Sequence, residues 1–226
     1  MRRAALLLLV TALFCSGGDG PGGEPGIAPP LGEVQQGIAT YYAADGDGAC
    51  MFGPSLIDLD VAAMNAEQWD GSGASGACAR VEGPRGSVVV RIVDLCPECK
   101  RGHLDLSPQA FSKVADLPQG RVDISWQLQA CAVAGNVRYQ TKDGSNPWWT
   151  AIQVRNHRIP VRSLAYQKNG AWVDVKRESY NYFVEPAGTG SGAIRLRITA
   201  WDGQTLEDQI PGPDGEASYA GQAQFQ

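Results

Sequence analysis

Apolar positions along this chain recur mostly at a period of two, the repeat of a strand with one buried face. GIATYY (37–42) alternates and is rich in β-branched and aromatic residues, and RVDISWQLQAC (121–131) places Val122, Ile124, Trp126 and Leu128 on one side. SVVVRIVDL (87–95) is nearly continuous in apolar residues, which suits a strand buried on both faces. The period changes around 107–114. Ser107 can cap a helix there, Pro108 suits its first turn, and Ala110, Phe111 and Val114 make one apolar face. A second, shorter helix is predicted at VAAMNAEQW (61–69). After Cys131 and a short AVAG linker, seven strand-like segments follow at close spacing: NVRYQTK, TAIQVRN, PVRSLAYQ, AWVDVKR, NYFVEP, IRLRITAW and TLEDQIP. Turn pairs such as Asp143-Gly144, Asn169-Gly170 and Asp202-Gly203 separate many of them. The first half predicts a mostly β barrel with scarce helix, and the second an immunoglobulin-like sandwich.

Composition agrees with that division. The 28 glycines and 14 prolines among 226 residues argue against a helical bundle and for many short strands and turns. The N-terminus stands apart. Arg2 and Arg3 precede an apolar run, Ala4 to Phe14, of secretory-signal type and too short to span a bilayer. Cys15 follows directly, where a bacterial lipoprotein carries its lipidated cysteine, although Phe14 occupies a position where small residues are usual. The expected product is extracellular, either free or anchored to a membrane through Cys15. The reading is therefore a leader over 1–15, a Gly/Pro tether over 16–35, a barrel over 36–131, a linker over 132–135 and a sandwich over 136–226. The net charge is −5 over 36–135 and +1 over 136–226. No basic stripe is present, so nucleic acid is excluded as a partner and a neutral polymer fits the second half best.

Beyond Cys15, five cysteines lie before residue 132: Cys50, Cys78, Cys96, Cys99 and Cys131. In an exported chain the plain reading of Cys96-Pro97-Glu98-Cys99 is a small disulfide loop. A zinc site would need about four ligands, and only His103 and Cys50 offer themselves as extras. A redox pair is the third reading. An odd number leaves at least one thiol unpaired. His103 and His157 read as ordinary polar positions, and Trp126 and Trp172 as core.

Two long segments carry a family resemblance. GIATYY…AAMNAEQWDGSGASGACARVEGPRGSVVVRIVDLCPECKRGHLDLSPQAF and NPWWTAIQVRNHRIPV…AWVDVKRESYNYFV resemble bacterial expansins, in that order, from about Gly37 to the C-terminus. The resemblance implies a six-stranded double-psi β-barrel followed by an immunoglobulin-like, cellulose-binding sandwich. It implies polar groove residues at Thr40, Asp94 and Asp105; Cys96 stands where some members have a groove tyrosine. It implies an exposed row of Trp148, Trp149 and Tyr180 that stacks on glucan rings, with Lys142 nearby to hydrogen-bond hydroxyls. Adjacent tryptophans on a regular strand would face opposite sides, so an irregular backbone at Pro147 is needed to expose both. It also implies the pairs Cys78–Cys131 and Cys96–Cys99 with Cys50 free, because Ser75 stands where the usual partner of Cys50 lies.

The implied activity is loosening of cellulose-rich wall polysaccharide without hydrolysis, by a monomer needing no cofactor. Inverting glycoside hydrolysis needs an acid and a base roughly 6.5–9.5 Å apart. Related family 45 endoglucanases carry a second carboxylate just after the equivalent of Tyr42, whereas this chain has Ala43 and Ala44, with Asp45 and Asp47 following in a Gly-rich loop. The alternative is a glycan-cleaving enzyme, a lytic transglycosylase on peptidoglycan or a weak endoglucanase, using Asp105 as its acid.

Overall fold

A computed structural model describes residues 30–226 except Leu56. The leader, Cys15 and most of the expected tether lie outside the described residues. Two β units follow each other along the chain. The first contains β1 (Gln35–Tyr41), β2 (Val61–Asn65), helix α1 (Ala66–Trp69), β3 (Cys78–Gly83), β4 (Gly86–Cys96), β5 (Leu104–Leu106), helix α2 (Pro108–Val114) and β6 (Val122–Gln129). Its strands close into a six-stranded barrel in the order β1-β5-β2-β4-β3-β6. The pairs β1·β5 and β2·β4 are parallel and the rest antiparallel.

The helix predicted at 61–69 is a strand for its first half. Val61–Asn65 is buried at every position and is hydrogen-bonded to β4 on one side and β5 on the other. Two ladders and complete burial outweigh the helical preference of Ala-Ala-Met. Only Ala66–Trp69 coils, capped by Asn65, whose side chain accepts from the Gln68 N–H at 3.0 Å. Helix α2 forms as its sequence predicts, with the Ser107 hydroxyl accepting from the Ala110 N–H and Ala110, Phe111 and Val114 buried. The composition of 30–35 suggested tether, yet this stretch packs. Pro30 bridges Gln129, Leu31 N–H donates to Leu128 O at 2.7 Å, and the Leu31 side chain rests on the second core.

The second unit holds β7 (Arg138–Thr141), β8 (Thr150–Arg155), β9 (Val161–Lys168), β10 (Ala171–Arg177), β11 (Phe183–Glu185), β12 (Ile194–Ala200), β13 (Thr205–Ile210) and β14 (Ala217–Ala220). These strands are hydrogen-bonded in the order β13-β12-β9-β10-β11-β8-β7-β14. The sheet turns back on itself at β10, which pairs with β9 through Val175 and with β11 from Lys176. Its two halves therefore face each other, and Tyr139, Ile152, Val154 and Phe183 from one pack with Leu164, Tyr166, Leu196 and Ile198 from the other. Seven of the eight strands follow the predicted pattern. The eighth, Ala-Ser-Tyr-Ala, is too short and too small-sided to show as a strand, and forms because β7 offers it an open edge.

The seam between the units combines polar bonds with an apolar bridge, Trp201, which packs against both cores. The Cys50 carbonyl accepts from the Gln153 side-chain amide at 2.8 Å and from that of Asn181 at 3.2 Å, and Ser72 donates to Glu178 O at 2.9 Å. The linker is short and tied down, with the Asn156 amide donating to the carbonyls of Ala134 and Asn136, each at 2.8 Å. His157 is buried at the seam, where burial first, and the charges of Arg177 and Arg91 next, push its pKa from 6.5 down to about 4. Cys78–Cys131 and Cys96–Cys99 are disulfides, and Cys50 is free and buried. Burial pushes the Cys50 thiol up to about 12, which makes it inert.

Loop-closure entropy ranks the two bridges. Cys78–Cys131 spans 53 residues and Cys96–Cys99 spans 3, so removing the first by alanine pairs should cost about 4 kcal/mol and removing the second about 1.5 kcal/mol. Denaturant titration of the two variants checks the order. Folded His157 resists protonation that the unfolded chain accepts near pH 6.5, so stability should fall as pH drops from 6.5 towards 4. His157→Asn should flatten that part of the stability–pH curve, by on the order of 2–3 kcal/mol across the window.

Candidate functional site

Strand register aligns the groove. Thr40 of β1 sits opposite Asp105 of β5, Asp105 sits opposite Ala63 of β2, and Ala63 sits opposite Asp94 of β4. These residues form one row across four neighbouring strands, with the small Ala63 leaving a trough between the two carboxylates. Two strand spacings separate Asp105 from Asp94, about 10 Å at the backbone. β1 and β5 are distant in sequence, so their parallel pairing is what creates the site.

Each member of the row is held. Thr40 Oγ1 donates to the Asp105 carboxylate, and lies 2.8 Å from His103 Nε2. A hydroxyl has one proton, so once Thr40 donates to Asp105, His103 donates to Thr40 through Nε2–H. Burial lowers the His103 pKa, opposed by the charge of Asp105. Asp94 Oδ1 accepts from the N–H groups of Ala49 and Leu95 at 2.7 and 2.8 Å. That carboxylate anchors the 45–53 loop, and a Cβ on Gly48 would fall 2.4 Å from its Cγ. Asp45 and Asp47 serve the same loop, with Asp45 accepting from Asp47 N–H and Asp47 from the N–H groups of Gly48 and Gly53.

Sequence reasoning missed two residues here. His103, read as ordinary, completes the chain to Asp105. Tyr42 has its hydroxyl buried without a hydrogen-bond partner among the described residues. Its pKa is raised well above the ordinary value by burial, and then by the charges of Asp94 and Asp105. The signal for His103 was its place two residues before Asp105, just ahead of β5, on the side Asp105 would take in an extended chain.

The aromatic candidates lie on the second unit. Asn146–Trp149 is a tight turn, with Asn146 N–H donating to Trp149 O at 2.8 Å. The Asn146 side chain accepts from the N–H groups of both Trp148 and Trp149, at 2.9 and 3.1 Å. β8 starts only at Thr150, so strand alternation does not apply to the two indoles. Trp148 is 78% exposed, while Trp149 and Tyr180 are half-buried. Gly188 backs this turn so closely that a Cβ there would meet Pro147 O at 2.1 Å. Lys142 Nζ sits 5.6 Å from the centre of the Tyr182 ring, and the Tyr182 and Tyr180 rings are 6.1 Å apart. A cavity of about 360 Å³ joins Asp47, Gly48 and Phe52 of the anchored loop to Lys142 and Tyr182.

Trp126 is buried in the barrel core and donates to Gly102 O at 2.8 Å. Trp172 is not a core residue. It is half-buried on the sandwich surface, with the guanidiniums of Arg197 and Arg195 4.1 and 5.7 Å from its ring centre. Cys96 and Cys99 are bonded to each other and offer no thiolates.

Residues 34–126 match the family model described as a lytic transglycolase. The chain is 36% identical to Expansin-YoaJ of Bacillus subtilis (strain 168), over 90% of this chain and 87% of that protein. It is 31% identical to Expansin-like protein 5 of Dictyostelium discoideum over 83% of each. Among solved structures, the apo expansin of Clavibacter michiganensis matches with a TM-score of 0.77 at 27% identity, covering 86% of this chain and 98% of that one. A mutant of that expansin in complex with cellohexaose matches at 0.78 over the same shares. A closed barrel and a β-sandwich in this order, with a relative of that identity over nine-tenths of the sequence, place the chain among the bacterial expansins.

Proposed function

We propose that this protein binds cellulose-rich wall glycans outside the cell and loosens their packing without hydrolysing them. The observation that carries this reading is the continuity of the polar row, the anchored loop and the cavity shared with Lys142 and Tyr182, on the unit that also carries the aromatic candidates. Asp94 fixes the 45–53 loop, that loop lines a cavity shared with Lys142 and Tyr182, and Tyr182 leads on to Tyr180. Trp148 and Trp149 present indole faces from a turn at the start of β8. Sugar C–H faces pack on such rings at about 25 cal/mol per Å² of apolar surface removed from water. Cellohexaose, the ligand of the related Clavibacter protein, has the chemistry this strip fits.

The row supports a grip better than a hydrolytic pair. Among the described residues Asp105 Oδ1 accepts from Thr40 alone, whereas Asp94 Oδ1 is occupied by two backbone N–H groups. Asp45 and Asp47 are likewise bound to their own loop. We assign Thr40, Asp94 and Asp105 to glucan contact or its support, with His103 positioning Thr40. The leader-like N-terminal sequence and the expansin relatives support the extracellular setting. The second reading, glycan cleavage with Asp105 as the only acid and peptidoglycan as a substrate, is favoured by one observation, the lytic-transglycolase family model over the barrel.

Trp148→Ala should weaken pull-down on crystalline cellulose by about five- to ten-fold, with an unchanged unfolding midpoint, since stacking on a ring contributes about 1 kcal/mol or more. Equal binding of wild type and variant would remove the strip from the account. Asp105→Asn should abolish creep of stretched wall strips while leaving cellulose binding within about two-fold. New reducing ends from glucan, or anhydro-sugars from peptidoglycan, that disappear in Asp105→Asn would establish the cleavage reading instead.

A further inference from the structure

A second cavity, of about 200 Å³, lies at the seam and shares Phe52, Gly53 and Arg155 with the cavity beside Lys142 and Tyr182. The barrel supplies Phe52, Ser55 and Arg91 to its wall, and the sandwich supplies Arg155, Asn156 and His157. Phe52 gathers the cations, with the guanidinium carbons of Arg91 and Arg155 5.6 and 5.9 Å from its ring centre. No carboxylate forms an ion pair with either arginine among the described residues. The Arg91 side chain makes no hydrogen bond to any described residue, and its Nε is buried. His157 is 5% exposed, and its Nδ1 is buried without a well-formed hydrogen bond, although the ring lies against the Ile159 backbone. Buried donors without acceptors are costly, and converging cations without a counter-charge more so. Such a set points to a ligand that supplies both the acceptors and the negative charge.

We propose that this seam cavity is a binding site for a carboxylate, held by the Arg91 fork and bridged to Arg155 and His157. Charge and shape select this class. Arg155 already gives Nε to Gln153 and Nη2 to the Met51 carbonyl, so one whole guanidinium fork, that of Arg91, is open. One planar fork matches one planar, singly charged carboxylate. His157, uncharged near neutral pH, adds a hydrogen-bonding edge and no further cation. Arg91 belongs to one unit and Arg155 and His157 to the other, so an occupied site also links them, and occupancy should stabilise the assembled pair. The carboxylate has two chemical sources, a free organic acid or a uronic acid unit of a wall polymer.

The test uses the full chain at pH 7 and constant ionic strength. Acetate and galacturonate are titrated as carboxylates, with glucose and inorganic phosphate as controls. Proton resonances of the His157 ring report binding; the chain has only 2 histidines, so His103→Asn assigns them. Both carboxylates should move those resonances saturably and raise the unfolding midpoint, and glucose should do neither. Galacturonate binding tighter than acetate assigns the site to a sugar acid, and equal binding assigns it to free acids. Arg91→Gln should weaken the carboxylate by about ten-fold or more while leaving cellulose pull-down unchanged. Arg91→Lys, which keeps the charge and loses the fork, should weaken it less. Resonances unmoved by either carboxylate in the wild type, equal binding of phosphate, or an unchanged response in Arg91→Gln would overturn the proposal. Cellulose binding is read separately, so failure here leaves the glycan reading intact.

Discussion

The grip of one carboxylate on one loop organises this molecule. Asp94 reaches out of β4 and holds the Ala49 N–H, which brings the 45–53 loop down onto the mouth of the barrel. The next residue, Cys50, then presents its carbonyl to the side-chain amides of Gln153 and Asn181. A groove residue thus sets the position of the loop on which the second unit docks. The constraint has no slack, since Gly48 must lack a side chain for Asp94 to fit beside it. Trough and docking loop are held to the second unit by a few charge-assisted and amide hydrogen bonds, which are directional in a way apolar packing is not.

The polar bonds of the seam follow from that arrangement. A wholly apolar interface would bury more surface but would tolerate sliding. Here, paired donors and acceptors fix one relative placement, and Arg177 adds bonds to Ser72 O and to carbonyls at the start of β9. Burial lowers the Arg177 pKa to about 10, still charged at neutral pH. The cost of desolvating such groups is offset only where each finds a partner. Arg177 keeps one buried nitrogen, Nε, without a partner, and Arg91 and His157 depart from that rule around an open cavity.

The two cavities meet at Phe52, which lines both. A ligand in the seam would bear on how the two units sit, because its contacts come from both.

The sequence determined the classes of element and much of the chemistry. Alternation in 121–131 and the Ser107-Pro108 cap each encode a local choice that the fold agrees with, while the apolar run of 87–95 is a strand that is not buried on both faces throughout, since Val89 is exposed. The aromatic residues and the acids were legible as types, and motif resemblance placed them. What only the tertiary structure decided depends on contacts between distant residues. Val61–Asn65 became a strand because two neighbours bonded it, against its local preference. His103 joined the groove because β1 and β5 pair in parallel across more than sixty residues of chain, as the Thr40–His103 separation of 63 shows. The two indoles left the strand pattern because Asn146 closes a turn on their backbone. Periodicity reports which face of an element meets the core, and it cannot report which other element stands opposite, since that is settled by the whole chain closing on itself.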